Sequence, residues 1–156
     1  PHKSPCHDAP PMDGNTRFRF SARATAEVMS QILRLANGAA FAGGLNPAQW
    51  SALRYLADAV PEGRTVTAFA QYHATTSGTA SQTVAALVRK GLVERLPETG
   101  DRRRNRLELT SRGHDMLCGD PLDGIAAAIA AQPLSVQEDL AAGLETTLRT
   151  LMKQGF

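Results

Sequence analysis

The strongest constraint on the fold is a central segment in which two brief helical patterns are followed at once by two β-like runs. The helical patterns are TVTAFAQYH, from Thr65, and TASQTVAALVRKG, from Thr79, and the polar turn ATTSG separates them. The β-like runs are LVERLPE and RNRLELT, with TGDRRR between them. Two short helices in tandem and a two-stranded hairpin are the parts of a winged helix-turn-helix.

Longer helical patterns lie on both sides of this segment. From Phe18 to about Phe41, apolar residues recur at steps of three and four, and Asn46 and Pro47 predict the start of a second helix that runs to about Val60. After the hairpin we expect a helix from Ser111 to about Ala131, which Pro121 kinks or limits. A last helix is expected from Leu134 to Met152, with one row of leucines: Leu140, Leu144, Leu148 and Leu151.

The positive charge of the chain is concentrated near the predicted hairpin. The net charge is only +2, yet residues 89–112 contain eight basic and four acidic residues, a local charge of +4. Arginine forks suit phosphates and a narrow minor groove, so we expect the loop arginines to grip a DNA backbone. These arginines are Arg102, Arg103, Arg104 and Arg106. Asp101 is expected to pair with one of them and to hold its direction.

The second short helix has a polar front and an apolar rear. Its first residues carry small polar side chains that can reach base edges in a major groove, and Gln82 has the geometry to pair with adenine. The candidate DNA-contacting residues are Ser77, Thr79, Ser81, Gln82 and Thr83. Val84, Leu87 and Val88 have the spacing to bury against a core, as a recognition helix requires.

Several classes of protein are disfavoured. No apolar run approaches the roughly 20 residues of a membrane span. Cys6 and Cys118 form no CxxC motif and no zinc spacing with the histidines, so we expect no metal, no cofactor and a reducing cytoplasm. No nucleophile, base and oxyanion arrangement and no phosphate loop is present, which argues against an enzyme.

The segment LVRKGLVERLPETGDRRRNRLELTSRG resembles the MarR family of bacterial transcription regulators. The likeness rests on the Lys-Gly-Leu step, on the Asp-x-Arg of Asp101 and Arg103, and on the Leu-Thr-x-x-Gly that ends at Gly113. It extends outward to LNPAQWSALRYLAD and LSVQEDLAAGLETTLRTL, so it covers about residues 18–154. The resemblance implies a homodimeric repressor, less often an activator, that binds a pseudo-palindromic operator and is released by a small, often aromatic, effector.

The resemblance also assigns individual roles. Arg103 falls on the family's wing-tip arginine, which enters the minor groove, and Asp101 falls on its acidic companion. Thr79, Ser81 and Gln82 fall on base-facing positions. The family often has arginine where Gln82 stands and a bulkier apolar residue where Thr83 stands, so the operator sequence does not transfer.

The expected fold class is mainly α with a small β-hairpin wing, a winged helix-turn-helix flanked by N- and C-terminal dimerisation helices. Residues 1–16, with four prolines, predict a flexible arm. Residues 17–156 are expected to form one domain, with a DNA-binding lobe at about 46–112. The dimerisation helices are expected at about 18–42 and 113–154, because an apolar seam on a terminal helix needs a cover.

Three alternatives stay open. Trp50, Tyr55, Tyr72 and His73 line an aromatic effector pocket in one interpretation, while Trp50 and Tyr55 are plain core or boundary residues in the other. Cys6 or Cys118 senses oxidants if nearby charge or a helix N-terminus lowers its pKa, whereas a buried Cys118 is inert. A third possibility is a winged-helix module whose arginines meet an acidic protein.

Overall fold

The computed structural model describes residues 21–98 and 101–155, and of residues 42, 98 and 101–105 it describes the backbone alone. The chain divides into two units between Arg34 and Leu35. The helices are α1 (Ala22–Ala42), α2 (Pro47–Asp58), α3 (Val66–Tyr72), α4 (Ser77–Arg89), α5 (Ser111–Leu117), α6 (Leu122–Ala130) and α7 (Leu134–Lys153). The strands are β1 (Val93–Glu98) and β2 (Asp101–Leu109), and a 3-10 turn occupies Pro61–Gly63. The predicted fold class is confirmed, whereas the domain boundaries stay predictions.

Side-chain caps fix where the helices of the second unit begin. The Asn46 side chain accepts from the Gln49 amide at 2.9 Å, the Gln49 side chain accepts from the Asn46 amide at 3.2 Å, and Pro47 opens α2. Thr65 and Thr76 cap α3 and α4 through their hydroxyls. Because Thr76 is the cap, α4 begins two residues before the predicted Thr79.

The core lies where α2, α3 and α4 meet the hairpin. Its largest fully buried side chains are Trp50, Phe69, Leu53, Leu56, Leu87, Leu92, Leu107, Val84 and Val93. The predicted rear face of α4 is confirmed, because Val84 and Leu87 are fully buried and Val88 packs against them in part. Gly91 follows the end of α4 with φ +69°, the left-handed conformation that is common directly after a helix.

The helix expected from Ser111 to Ala131 is interrupted. α5 ends at Leu117 and α6 begins at Leu122, directly after Pro121. Pro121 therefore limits the regular part, since proline cannot donate a backbone hydrogen bond and clashes with the preceding turn. Cys118, expected within the helix, is the C-terminal cap of α5 and is exposed, so its alternative as a buried thiol is wrong.

α7 presents large apolar side chains to solvent. They include Val136, Leu140, Leu144, Leu148 and Met152, of which Leu148 is 58 % and Met152 66 % exposed. Of the predicted row, Leu151 alone is partly buried. Within the described ranges, no helix combines the length and the apolar character needed to cross a bilayer.

Candidate nucleic-acid interface

α3 and α4 form a compact helix-turn-helix. The turn between them places Ala74 at φ +46°, a left-handed conformation that favours glycine. The amide of Thr75 donates to the carbonyl of Ala70 at 3.0 Å, and Thr76 then caps α4. These bonds fix where the N-terminal face of α4 begins.

The N-terminal face of α4 is polar and contains no acidic residue. Ser77, Thr79 and Gln82 are exposed, and Ser81 and Thr83 are half-buried. Gln82 makes no hydrogen bond to any described residue, so its amide is free to contact an external edge. The predicted base-reading residues therefore lie together on the first two turns of α4, about seven residues at 3.6 per turn.

The hydroxyl groups on this face differ in how far they remain available for hydrogen bonds to DNA. Thr83 Oγ1 donates to the carbonyl of Thr79 at 3.1 Å, so its proton is used inside the helix. Thr79 Oγ1 lies 2.9 Å from Thr76 Oγ1, and the two share one hydrogen bond. Among the predicted contacts, Gln82 is thus the one with a long, exposed side chain that carries both a donor and an acceptor.

The wing is an antiparallel hairpin with an irregular tip. Its ladder is regular from Val93 opposite Leu109 to Pro97 opposite Asn105, and Glu98 then stands opposite Asp101. Residues 102–104 are consequently three extra residues on β2 without partners on β1, a larger irregularity than the one-residue bulge common in hairpins. Three of the predicted arginines, Arg102, Arg103 and Arg104, thus leave the ladder at the tip. The side chains of Asp101 and of these arginines lie outside the described residues.

Arg106 is less available for a phosphate contact than the sequence predicted. Its side chain is 41 % exposed, and its Nε lies 2.8 Å from Glu108 Oε1. The contact is an ion pair without a well-aligned hydrogen bond, because the buried Nε has no partner of good geometry among the described atoms. Glu108 therefore neutralises part of the charge that was expected to face phosphates.

Glu108 also anchors the wing to the lobe. Its Oε2 accepts from Nη1 of Arg64, while the Nε of Arg64 donates to the carbonyl of Ala59 at 2.9 Å. The amide of Leu107 donates to the carbonyl of Arg64 at 2.7 Å. Arg64 was not predicted from the sequence, where the one signal for it is the acidic Glu108 on the outward face of a basic strand.

The four aromatic candidates separate into two environments. Trp50 is 1 % exposed and its Nε1 donates to the carbonyl of Ala40 at 3.2 Å, which places it in the core. Tyr55 and Tyr72 have ring centroids 4.9 Å apart, and His73 stacks on Phe69 at 5.5 Å. Phe69 in turn lies 5.7 Å from Tyr55, so these rings form a continuous aromatic cluster.

The outer edge of the aromatic cluster faces solvent. Tyr72 is 64 % exposed and His73 is exposed, with its Nδ1 3.2 Å from Ser51 Oγ. Tyr55 is held from the inside, because its hydroxyl donates to the carbonyl of Gly63 at 2.6 Å and burial raises its pKa. Three of the four predicted pocket residues, Tyr55, Tyr72 and His73, thus lie in one aromatic cluster. Phe69, which was not predicted, also belongs to this cluster.

Among the described residues, the cysteine and the possible metal ligands do not come together in a site. Cys118 Sγ lies 3.8 Å from the carbonyl of His114, a weak contact within its own helix end. Cys6 lies outside the described residues. In the part of the chain that the structure describes, no three His, Cys, Asp or Glu side chains come close enough to hold a metal ion.

A helix-turn-helix with a polar second helix, followed by an arginine-rich hairpin, defines a winged helix-turn-helix protein. Comparison with known proteins agrees with this assignment to the winged helix-turn-helix class. Residues 43–104 match the sequence model of the MarR family. The predicted resemblance to this family is thereby confirmed over the helix-turn-helix and most of the wing. No curated protein sequence matches the chain closely enough to be compared with it.

Solved structures show the same fold over most of the chain. A MepR–DNA complex from Staphylococcus aureus is 21 % identical, has a TM-score of 0.68, and is matched over 85 % of this chain and 97 % of that one. S. aureus MarR in complex with salicylate and kanamycin is 20 % identical, with a TM-score of 0.68 over 84 % and 89 % of the two chains. S. aureus MepR bound to ethidium bromide is 22 % identical, with a TM-score of 0.57 over 85 % and 97 %. The chain thus has the winged-helix fold of MarR-family regulators.

Proposed function

We propose that this protein is a cytoplasmic transcriptional regulator, a repressor that binds a pseudo-palindromic DNA operator as a homodimer and releases it when a small effector binds. The observation that carries the proposal is the polar, acid-free start of α4 beside a wing whose arginines bulge from the ladder. A MepR structure with the same fold was solved as a DNA complex, which supports DNA as the partner. An enzyme is not proposed.

DNA recognition divides between α4 and the wing. α4 enters the major groove, where the free amide of Gln82 pairs with adenine and Ser77, Thr79 and Ser81 contact bases or phosphates. The wing lies against the neighbouring minor groove, where Arg103 is the probe and Asp101 holds its direction. Arg102 and Arg104 contact phosphates, and Arg106 contributes less because Glu108 neutralises it in part.

The homodimer forms through the terminal helices. A second copy of the chain is the occupant that suits the exposed apolar side chains of α7, because the same rows on two copies are complementary by symmetry. α1 carries a similar exposed set, including Val28, Ile32 and Leu35. Ending the chain after Leu134 removes α7, so we expect a folded lobe that no longer dimerises in sedimentation equilibrium.

The effector is a small aromatic molecule that stacks on the aromatic cluster at the end of α3. Tyr72 and His73 expose their rings there, and they pack on Tyr55 and Phe69 respectively. S. aureus proteins of the same fold were solved with salicylate and with ethidium, which supports aromatic molecules as ligands. Binding lowers DNA affinity if the effector prefers the dimer in which the recognition helices are wrongly spaced.

The proposal is tested by selecting duplexes from a randomised pool with the wild-type protein and measuring their binding by fluorescence anisotropy. We expect a two-fold symmetric sequence to be enriched. Arg103→Ala should weaken its binding by at least about tenfold, a loss typical of a specific groove contact, with dimerisation and thermal stability unchanged.

A matched control is Arg149→Ala, which removes the same charge from the exposed face of α7, where Arg149 pairs with Glu145. This variant should bind the selected duplex like the wild type. Recovery of no preferred sequence, together with binding to acidic proteins, would favour a protein-interaction module. Equal loss of stability in Arg103→Ala would mean that the wing arginine is structural.

A further inference from the structure

An ion pair joins the winged-helix lobe to the beginning of the C-terminal helices. Arg54 Nε lies 2.5 Å from Asp120 Oδ2, and Arg54 Nη2 lies 2.7 Å from Oδ1. The side chains are 27 % and 10 % exposed. Such a two-pronged arginine–carboxylate pair fixes orientation as well as distance, because two parallel hydrogen bonds define a plane.

Both partners are held firmly by their own surroundings. Arg54 lies on α2 next to Leu53, which is completely buried, so the core fixes the position of its backbone. Asp120 lies between α5 and α6, and its Oδ1 also accepts from the amide of Leu122 at 2.8 Å. One carboxylate therefore binds α2 and starts α6 at the same time.

The contacts of α5 and α6 show that the lobe is connected to the C-terminal helices mainly near Asp120. The main contacts of α5 are with α2 and β2, whereas those of α6 are with α7. Residues 118–121 lie between these two groups of contacts and have no regular helical structure. The direction in which α6 leaves the lobe is consequently decided where Asp120 meets Arg54.

We propose that Arg54 and Asp120 are positioning residues that set the spacing of the two recognition helices in the dimer, and hence the half-site spacing that the protein selects. The inference rests on the proposed DNA-binding function. Successive major grooves on one face of DNA are about 34 to 36 Å apart, so a small change in the direction of α6 moves α4 out of register. Desolvation offsets much of the attraction in a partly buried ion pair, so we assign this pair to orientation more than to stability.

The first experiment measures binding to duplexes that carry the selected half-sites at the selected spacing and at spacings longer or shorter by one or two base pairs. Arg54→Met keeps the aliphatic stem without the charge, and Asp120→Asn keeps an oxygen that accepts from Leu122. We expect the wild type to prefer one spacing by at least about tenfold, in the range of ordinary specificity effects. Both variants should reduce that preference to less than about threefold while leaving the affinity for a single half-site and the dimer unchanged.

Arg149→Met serves as the control, because it makes the same substitution at an exposed arginine whose ion pair with Glu145 stays within α7. It should keep the wild-type spacing preference. An unchanged preference in Arg54→Met and Asp120→Asn would overturn the inference, as would a parallel loss of single half-site binding. A wild-type protein without preference among duplexes would instead refute the proposed function.

A second measurement does not depend on DNA. Spin labels at Arg89→Cys on α4 and Thr147→Cys on α7, in a background with both native cysteines changed to serine, report the direction of α7 relative to the lobe. Dilution with unlabelled protein isolates the distance within one chain. Arg54→Met should broaden this distance distribution and Arg149→Met should not, and equal widths in all three proteins would refute the positioning role.

Discussion

Gly113, which ends the Leu-Thr-x-x-Gly motif, is predicted to tolerate no side chain. A Cβ added there would lie 2.2 Å from the carbonyl oxygen of Leu92, 3.2 Å from its carbonyl carbon and 3.3 Å from Leu109 Cδ2. Real Cβ contacts are essentially never shorter than 3.0 Å, so the backbone at Leu92 has to move. The obstacle is a backbone carbonyl and cannot be relieved by a change of rotamer.

The cost of this movement follows from what Leu92 holds in place. Its side chain is 1 % exposed, and its carbonyl accepts from the amide of Thr110 at 3.1 Å. Overpacking costs about 1 to 3 kcal/mol, and weakening the hydrogen bond adds about 1 kcal/mol. Because Gly113 lies in α5, the helix propensity of alanine returns about 0.5 to 1 kcal/mol, so Gly113→Ala should lower the free energy of unfolding by about 1 to 3.5 kcal/mol.

Urea denaturation followed by the fluorescence of Trp50, the single tryptophan of the chain, measures this loss at fixed protein concentration. Gly124→Ala is the matched control, because a Cβ at this position in α6 meets no atom within 4 Å. This control should raise stability by about 0.5 to 1 kcal/mol through helix propensity. A loss below about 0.5 kcal/mol for Gly113→Ala, the size of an ordinary surface substitution, would refute the packing argument.

Three further predictions concern the turn, the wing and the ion pair. Ala74→Gly should raise the free energy of unfolding by about 0.5 kcal/mol in urea denaturation, because it relieves a left-handed alanine. The control Ala142→Gly, at an exposed position of α7, should lower it by about 0.5 to 1 kcal/mol. A loss of stability in Ala74→Gly as well would contradict the prediction for the turn. Glu108→Gln should accelerate hydrogen exchange of the Leu107 amide by loosening the anchor to Arg64, and an unchanged rate would refute that role. Arg54 lowers the pKa of Asp120, so the carboxylate's contribution to stability is present above its ordinary pKa and is lost as the pH falls through its pKa in the folded protein. The stability difference between wild type and D120N should therefore be largest near neutrality and shrink in acid, and a difference independent of pH would contradict this assignment.

Local signals predicted the helix-turn-helix and the wing well. The start of α2 at Asn46 and Pro47 depends on residues that are adjacent in sequence, so its chemistry is visible without a structure. The polar front and apolar rear of α4 were also predictable, because a helical period places them on opposite faces. The break between α5 and α6 was visible in part through Pro121.

The contacts that position these elements were not predictable. Arg64 and Glu108 are separated by 44 residues, and Arg54 and Asp120 by 66, and no periodic pattern connects such positions. The aromatic candidates illustrate the same limit, since Trp50 and Tyr55 lie on one helix yet Trp50 is in the core and Tyr55 joins the cluster with Tyr72. Periodicity identifies a face, whereas tertiary packing decides which part of that face is covered.

Footprinting on the selected duplex tests the central claim, DNA recognition by a symmetric pair of winged helices, most directly. Hydroxyl-radical cleavage in the presence of the wild-type protein should show protection with two-fold symmetry, centred on half-sites about 10 base pairs apart. Arg103→Ala should lose the protection of the flanking minor grooves. Equal protection of unrelated duplexes, or a single protected site without symmetry, would contradict the account.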